Sequence, residues 1–240
     1  TYNSVETDPC CLIYTSGTGG RPKGVLLTHK SIQANIDAAY LLLAEGAVQD
    51  KAVFLSILPL SHSYEHTAGL HLPIQIAAEV WYCEGRDKIA SNLAEVRPTL
   101  MTAVPRLYEM LHDRISKGVT ARGGLSAHLF RKAVALGRKR LAGQRLTTTE
   151  TVLDKVLDLL VRKKVRQRFG GRLAYFVSGG AALNPDIGSF FLSLGVNILQ
   201  GYGQTEASPL ISANRPGQIR IETVGPAVDG VEVKLADDGE

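Results

Sequence analysis

Apolar and polar positions run in two rhythms along these 240 residues. Short apolar runs predict strands at CCLIY (10–14), VFLSIL (53–58), AEVWYC (78–83) and TLMTAV (99–104). Between them the period lengthens to that of helices, over SIQANIDAAYLLLAE (31–45), residues 64–78 and DKIASNLAEV (87–96). Thr28 or Ser31 can cap the first helix, Pro59 ends the second strand, and Pro105 opens the helix RLYEMLHDRI. Strands and helices in alternation predict an α/β fold, with mostly parallel strands flanked by helices.

From about 115 to 170 the strand rhythm stops. Leu153, Val156, Leu157, Leu160, Val165 and Phe169 approximate one helical stripe, with Arg162, Lys163 and Arg166 largely off it. This predicts a helical insert with a glycine-containing break at 142–143. The first rhythm then resumes with a strand at 173–177, a helix at 185–194 and a strand at 196–200, and VEVKL (231–235) alternates like an exposed strand.

Charge sharpens the picture of the insert. Between Arg114 and Arg172 there are 16 Lys/Arg against 3 Asp/Glu, a balance of +13 in a chain whose net charge is +4. Such a block suits an anionic partner, a membrane surface or a nucleic acid. Aromatic interleaving is sparse, with Phe130 and Phe169 nearby, so stacking on nucleic-acid bases is not expected.

The rest of the composition is that of an ordinary globular protein, 45% hydrophobic and 21% charged. No run of about eighteen apolar residues predicts a membrane-spanning helix. The opening TYNSVETDPC is polar, and three cysteines (Cys10, Cys11, Cys83) make neither a disulfide framework nor a zinc spacing. The expectation is a cytoplasmic protein whose insert lies near the inner face of a membrane. With no initial methionine and the ending VKLADDGE, both ends read as cuts in a longer chain.

Candidate chemistry concentrates in three glycine-rich segments, each just after a predicted strand: TSGTGGRPKG, SGGAAL and GYGQTE. In open parallel sheets the ligand crevice lies beyond the carboxyl ends of the strands, so the three should converge. Gly17, Gly19, Gly20 and Gly24 let backbone N–H groups approach anionic oxygens. Thr15, Ser16 and Thr18 add hydroxyls, and Lys23 adds a mobile positive charge. The P-loop pattern fails, because Pro22 precedes Lys23 and Gly24 follows it. Glu206, beside Thr205, can hold a magnesium ion, which commonly takes one or two carboxylates plus water and phosphate. Tyr202 offers a flat face to a base. Bland readings stand beside these: Gly179-Gly180 as a tight turn, Glu206 as a solvated loop acid, and His62 as a satisfied core histidine.

Together these segments carry a resemblance. YTSGTGGRPKGVLLTH, SGGAAL and GYGQTEASPLIS resemble, in order, the signatures of the adenylate-forming enzymes. LPLSHSYEHTAG, AVPRLYEML and the basic insert are similar to those of long-chain fatty acyl-CoA synthetases. The resemblance implies that residues 1–240 are the central part of a large N-terminal AMP-binding domain, with a preceding region and a C-terminal lid domain lying outside them. It also implies a two-step reaction. Fatty acid and ATP give an acyl-adenylate, and coenzyme A then displaces AMP. By motif position, Thr15 and Glu206 are the implied Mg2+ ligands. Lys23 grips phosphate together with the loop residues Ser16, Gly17, Thr18, Gly19 and Gly20. Gly180, Ala181, Gln200, Gly201, Tyr202, Gly203 and Thr205 are implied to line the nucleotide site, and His62 and Tyr64 the acyl pocket, between segment 59–76 and the sheet. Gly19 departs from the pattern, standing where a second threonine is usual. Other readings left open are a fatty acyl-AMP or aryl-acid ligase and a non-catalytic module that binds nucleotide or membrane.

Overall fold

The structure is a computed structural model that describes residues 3–16, 21–44 and 51–238. Its elements, in chain order, begin with strands β1 (Pro9–Thr15) and β2 (Lys23–Thr28), helix α1 (His29–Ala44) and strand β3 (Val53–Ser56). Helices α2 (Ser63–Glu65) and α3 (Leu72–Gln75) are joined by a π-helical turn, His66–His71. Then come β4 (Glu79–Tyr82), α4 (Ile89–Val96), β5 (Leu100–Ala103), α5 (Pro105–Arg122), α6 (Gly124–Leu141) and α7 (Thr148–Leu157). A second π-turn (Asp158–Arg162) leads to α8 (Lys163–Arg168), β6 (Tyr175–Ser178), α9 (Pro185–Ser193), β7 (Ile198–Gly203) and β8 (Leu210–Ala213).

Six strands form the central sheet in the order β4-β3-β5-β6-β7-β8. All its pairs are parallel except β7 with β8. Strands β3 and β5 are buried at every position, as strands covered on both faces should be. Their side chains alternate between two cores, because successive residues of a strand point to opposite faces. Leu55, Met101, Phe176 and Ile198 join Leu93, Leu107, Tyr108, Val165 and Phe191 on one face. Phe54, Leu100 and Leu199 join Ile32, Ile36, Leu43 and Leu72 on the other.

Several expectations are corrected. The strand at 10–14 exists but lies outside the parallel sheet, paired antiparallel with β2 in a two-stranded sheet of its own. VLLTH was not read as a strand, yet Ile13 and Leu27 pack on α1's side while Leu12, Tyr14 and Leu26 stay exposed, a one-sided hairpin. Strand β8 is likewise an addition to the expected strands. VEVKL (231–235) forms no strand, since among the described residues it finds no ladder partner. Residues 64–78 are helical only as far as Gln75.

The insert packs on the sheet rather than standing apart. Helix α5 runs unbroken through residue 115, and Gly123 (φ +57°) separates it from α6. Thr147 and Glu150 form a reciprocal capping box that starts α7. Arg162, expected on the polar side, is 1% exposed. It donates to Asp154 (2.6 Å), to the carbonyls of Ala133 (2.7 Å) and Ser193 (2.8 Å), and through Nη1 to Asp154 O (3.2 Å). Arg166 pairs bidentately with Asp158 at 2.9 Å, which holds the Asp158 carboxyl below its usual range. Part of the basic block is therefore spent inside the fold. Among the described residues no helix is long and apolar enough to cross a membrane.

Candidate functional site

The carboxyl ends of β6 and β7 meet segment 62–72 around one cavity of about 240 Å³. Its inner wall is apolar, from Ala39, Leu42 and Leu43 of α1, Ala68, Leu72, Leu199 and Leu210. Its rim is polar and glycine-rich, from His62, Gly179, Gly180, Gly201, Tyr202, Gly203 and Thr205. An apolar body with a few convergent polar groups at one end is the common form of a ligand cleft.

Glycine is required at the rim. Gly180 has φ +81°, and a Cβ on Gly179 would sit 3.2 Å from the Tyr64 ring. Tyr64 donates through its hydroxyl to Val177 O at 2.9 Å, and burial pushes its pKa well above the usual phenol value. His62 is exposed at the mouth and caps α2, its Nδ1 accepting from Tyr64 N at 3.3 Å. The core-histidine reading is thereby corrected. Gln204 Nε2 donates to the Tyr202 hydroxyl at 2.7 Å, orienting that half-exposed ring at the rim.

Two positions fall away from the cavity. Gln200 is 4% exposed and committed elsewhere, accepting from Leu183 N (2.7 Å) and donating to Ile221 O (3.2 Å) and Thr223 O (3.0 Å). It braces the end of β7 instead of offering its amide to a ligand. Ala181 is exposed beyond the rim.

Thr15 and Lys23 are cross-strand partners at the loop end of the hairpin. Gly17, Thr18, Gly19 and Gly20 lie outside the described residues, and Ser16 is exposed beside them. The glycine loop therefore joins two antiparallel strands, which corrects the expectation of a loop at the end of a parallel one. Convergence comes instead through packing, since β2 contacts the turn Thr205–Ala207 that carries Glu206.

That turn is held by residues the sequence reading did not single out. Asn35, 6% exposed on α1, donates to Ala207 O (3.1 Å) and Leu210 O (2.9 Å) and accepts from Leu210 N (2.9 Å). Thr67 donates to Ser208 O at 3.0 Å, and the hydroxyls of Ser63 and Thr205 lie 3.1 Å apart. A signal existed: Asn35 is an amide on the apolar face between Ile32 and Ile36. Beneath the cavity Glu65, fully buried, accepts from Ser56 and Thr102 hydroxyls at 2.6 Å each. Desolvation raises its pKa, partly offset by those bonds.

Residues 3–240 match the family described as AMP-binding enzyme. The chain belongs to that family. Among its curated relatives, this AMP-binding enzyme chain is 34% identical over 232 residues to long chain acyl-CoA synthetase 6, peroxisomal, of Arabidopsis thaliana, covering 96% of this chain and 32% of that protein. It is 31% identical to fatty acyl-CoA synthetase A of Dictyostelium discoideum, covering 96% of this chain and 33% of that protein. The chain thus spans about a third of the length of these relatives. Apo MatB from Rhodopseudomonas palustris has the same fold, with a TM-score of 0.67 at 20% identity, covering all of this chain and 38% of that one. An anthranilate CoA ligase solved with anthranoyl-AMP gives 0.62 at 24%, covering 99% of this chain and 37% of that one.

Proposed function

We propose that this AMP-binding enzyme chain is the nucleotide-gripping part of a long-chain fatty acid–coenzyme A ligase. The observation that carries the reading is this cavity, apolar along α1 and the π-turn and rimmed by glycines and hydroxyls where β6 and β7 end. A fatty acyl chain fits the first environment and an adenylate the second. In the first step a carboxylate oxygen attacks the α-phosphorus of ATP and pyrophosphate leaves. In the second the coenzyme A thiol attacks the acyl carbonyl and AMP leaves. The protein contributes position and charge stabilisation. Lys23 neutralises phosphate charge, the Tyr202 ring stacks on the base, and the apolar wall excludes water from the acyl chain.

The donor set at the hairpin and turn fits Mg2+. Thr15 offers a hydroxyl and Glu206 an exposed carboxylate, hard oxygen ligands that leave room for water and phosphate. Such an ion would screen the phosphates when bound. On this reading residues 1–240 are part of an AMP-binding domain with 115–170 as its helical insert. Pyrophosphate release by the full encoded chain, measured over acetate, benzoate and fatty acids of increasing length, tests it. Medium or long fatty acids should react best, and a preference for acetate or benzoate would overturn the reading.

The insert supports a second role at an anionic lipid surface. Val152, Val156, Leu159 and Leu160 are exposed beside the exposed Lys155, Lys163 and Lys164. Sedimentation should favour anionic over neutral vesicles, and equal partitioning would refute this.

A further inference from the structure

Helices α5 and α6 meet at Gly123, and Phe190 of α9 stands against both. Its ring centroid lies 4.5 Å from that of His112 on α5 and 6.0 Å from that of Phe130 on α6. A wedge of this bulk keeps the two helices from closing on each other. A groove of about 570 Å³ remains between them, and it shares no lining residue with the cavity at β6 and β7. Small-molecule clefts are usually roughly 300–1,000 Å³.

The lining follows from the sequence of α6. Ala127, Phe130 and Val134 recur at the three- and four-residue spacing of one helical face, opposite Val119 of α5. A different apolar face, with Ala133 and Leu136, packs on Leu157. Gly137 brings α6 so close to α9 that a Cβ there would meet Ser193 O, so packing fixes this wall of the groove. Arg131 and Arg138 also line it, seven residues apart on one face and so about 10 Å apart along the axis. Arg131 is exposed and makes no hydrogen bond or ion pair among the described residues, while Arg138 donates through Nη2 to Asp186 O at 3.3 Å. No acidic side chain is among the described residues that line the groove.

An apolar trough with two cations and no acid suits a ligand with an apolar tail and an anionic head. We propose that the α5–α6 groove is a binding site for a long-chain carboxylate, its tail on Phe130, Val134 and Phe190 and its head between Arg131 and Arg138. Guanidinium forks match a carboxylate geometrically, and arginine stems lie along apolar surface while their heads stay in water. A neutral amphiphile would leave both cations unused, and a small anion would leave the trough exposed to water. The site is separate from the cavity of the proposed reaction and from the lipid-facing side chains at 152–164.

Equilibrium dialysis of hexadecanoate against the full encoded chain, without ATP and below the micelle concentration, tests the site. Wild type should bind one equivalent more than Arg131→Gln/Arg138→Gln, and one more than Ala135→Trp, which puts an indole into the trough from an exposed position. This difference is expected whatever the cavity takes up, so it stands or falls apart from the proposed function. The double variant should weaken that equivalent about tenfold or more, and added salt should weaken it in wild type. Neither hexadecanol nor acetate should compete for it. Should a variant fold poorly, hexadecanoate with a photoreactive group on its tail gives an independent reading, labelling wild type within 116–138. Equal stoichiometry in wild type and both variants, full competition by hexadecanol, or no label within 116–138 overturns the proposal. So does a wild-type dimer that the groove variants abolish with no change in bound hexadecanoate, which would make the groove a contact between copies.

Discussion

Asn35→Ala isolates the tether between α1 and the turn that carries Glu206. The substitution removes three hydrogen bonds, to Ala207 O (3.1 Å), Leu210 O (2.9 Å) and Leu210 N (2.9 Å). Each is worth about 1 kcal/mol net, and stranding a buried partner costs about 1–3 kcal/mol. Ala207 and Leu210 are half-buried, so water recovers part of the loss, and the expected cost is about 2–3 kcal/mol. For a chain of this size that lowers Tm by about 4–12 °C. Thr67 and Ser63 still hold the turn, so it loosens without detaching. Under the proposed function, the Mg2+ and ATP concentrations for half-maximal rate should rise while KM for fatty acid changes little. Asn35→Asp keeps an acceptor for Leu210 N but turns an oxygen toward two carbonyls, so it should destabilise at least as much. Thermal melts and initial rates over Mg2+ on the full encoded chain are the assay. An Asn35→Ala variant with wild-type Tm and wild-type Mg2+ dependence would refute the reasoning.

Three further outcomes follow from other parts of the structure. Glu65 has a raised folded pKa, so the native state binds more protons than the unfolded one above the ordinary value of 4.5, and its contribution falls as pH rises through the folded pKa. Denaturation from pH 4.5 to 7 should therefore show wild type losing stability relative to Glu65→Gln, and a constant difference would contradict this. Arg162→Ala leaves the Asp154 carboxylate to Arg140 alone, strands three carbonyls in the interior and should cost about 3–5 kcal/mol. The exposed Lys163→Ala should cost under about 0.5 kcal/mol in the same urea titration. Ala39→Phe fills the apolar arm of the cavity and should cut kcat/KM for the longest fatty acid about tenfold relative to a short one. A uniform loss across chain lengths would place the acyl chain elsewhere.

Much of the scaffold is written locally. Strands such as VFLS and LMTA are apolar at all but one position, Ser56 and Thr102 being the exceptions, because both sheet faces are covered, and Pro105 and Pro185 mark helix starts by their own covalent geometry. Gly180 at the rim is legible for a similar reason, since a backbone at φ +81° favours glycine whatever surrounds it. These features depend on a residue and its near neighbours, and a linear reading reaches them.

What depends on distant partners was not legible. The hairpin of β1 and β2 reads as strand in either arrangement, and only packing against α1 sets it outside the parallel sheet. Gln200 directly precedes GYGQTE and by position is expected to face a nucleotide, yet Leu183, Ile221 and Thr223 claim its amide. Arg162 reads as one more surface cation until carbonyls from α6 and α9 enclose it. Asn35 looks like a flaw on an apolar face until the turn 205–210 arrives 172 residues later. Side-chain type limits what each residue is able to bond, but the tertiary fold decides which distant donors and acceptors come within reach.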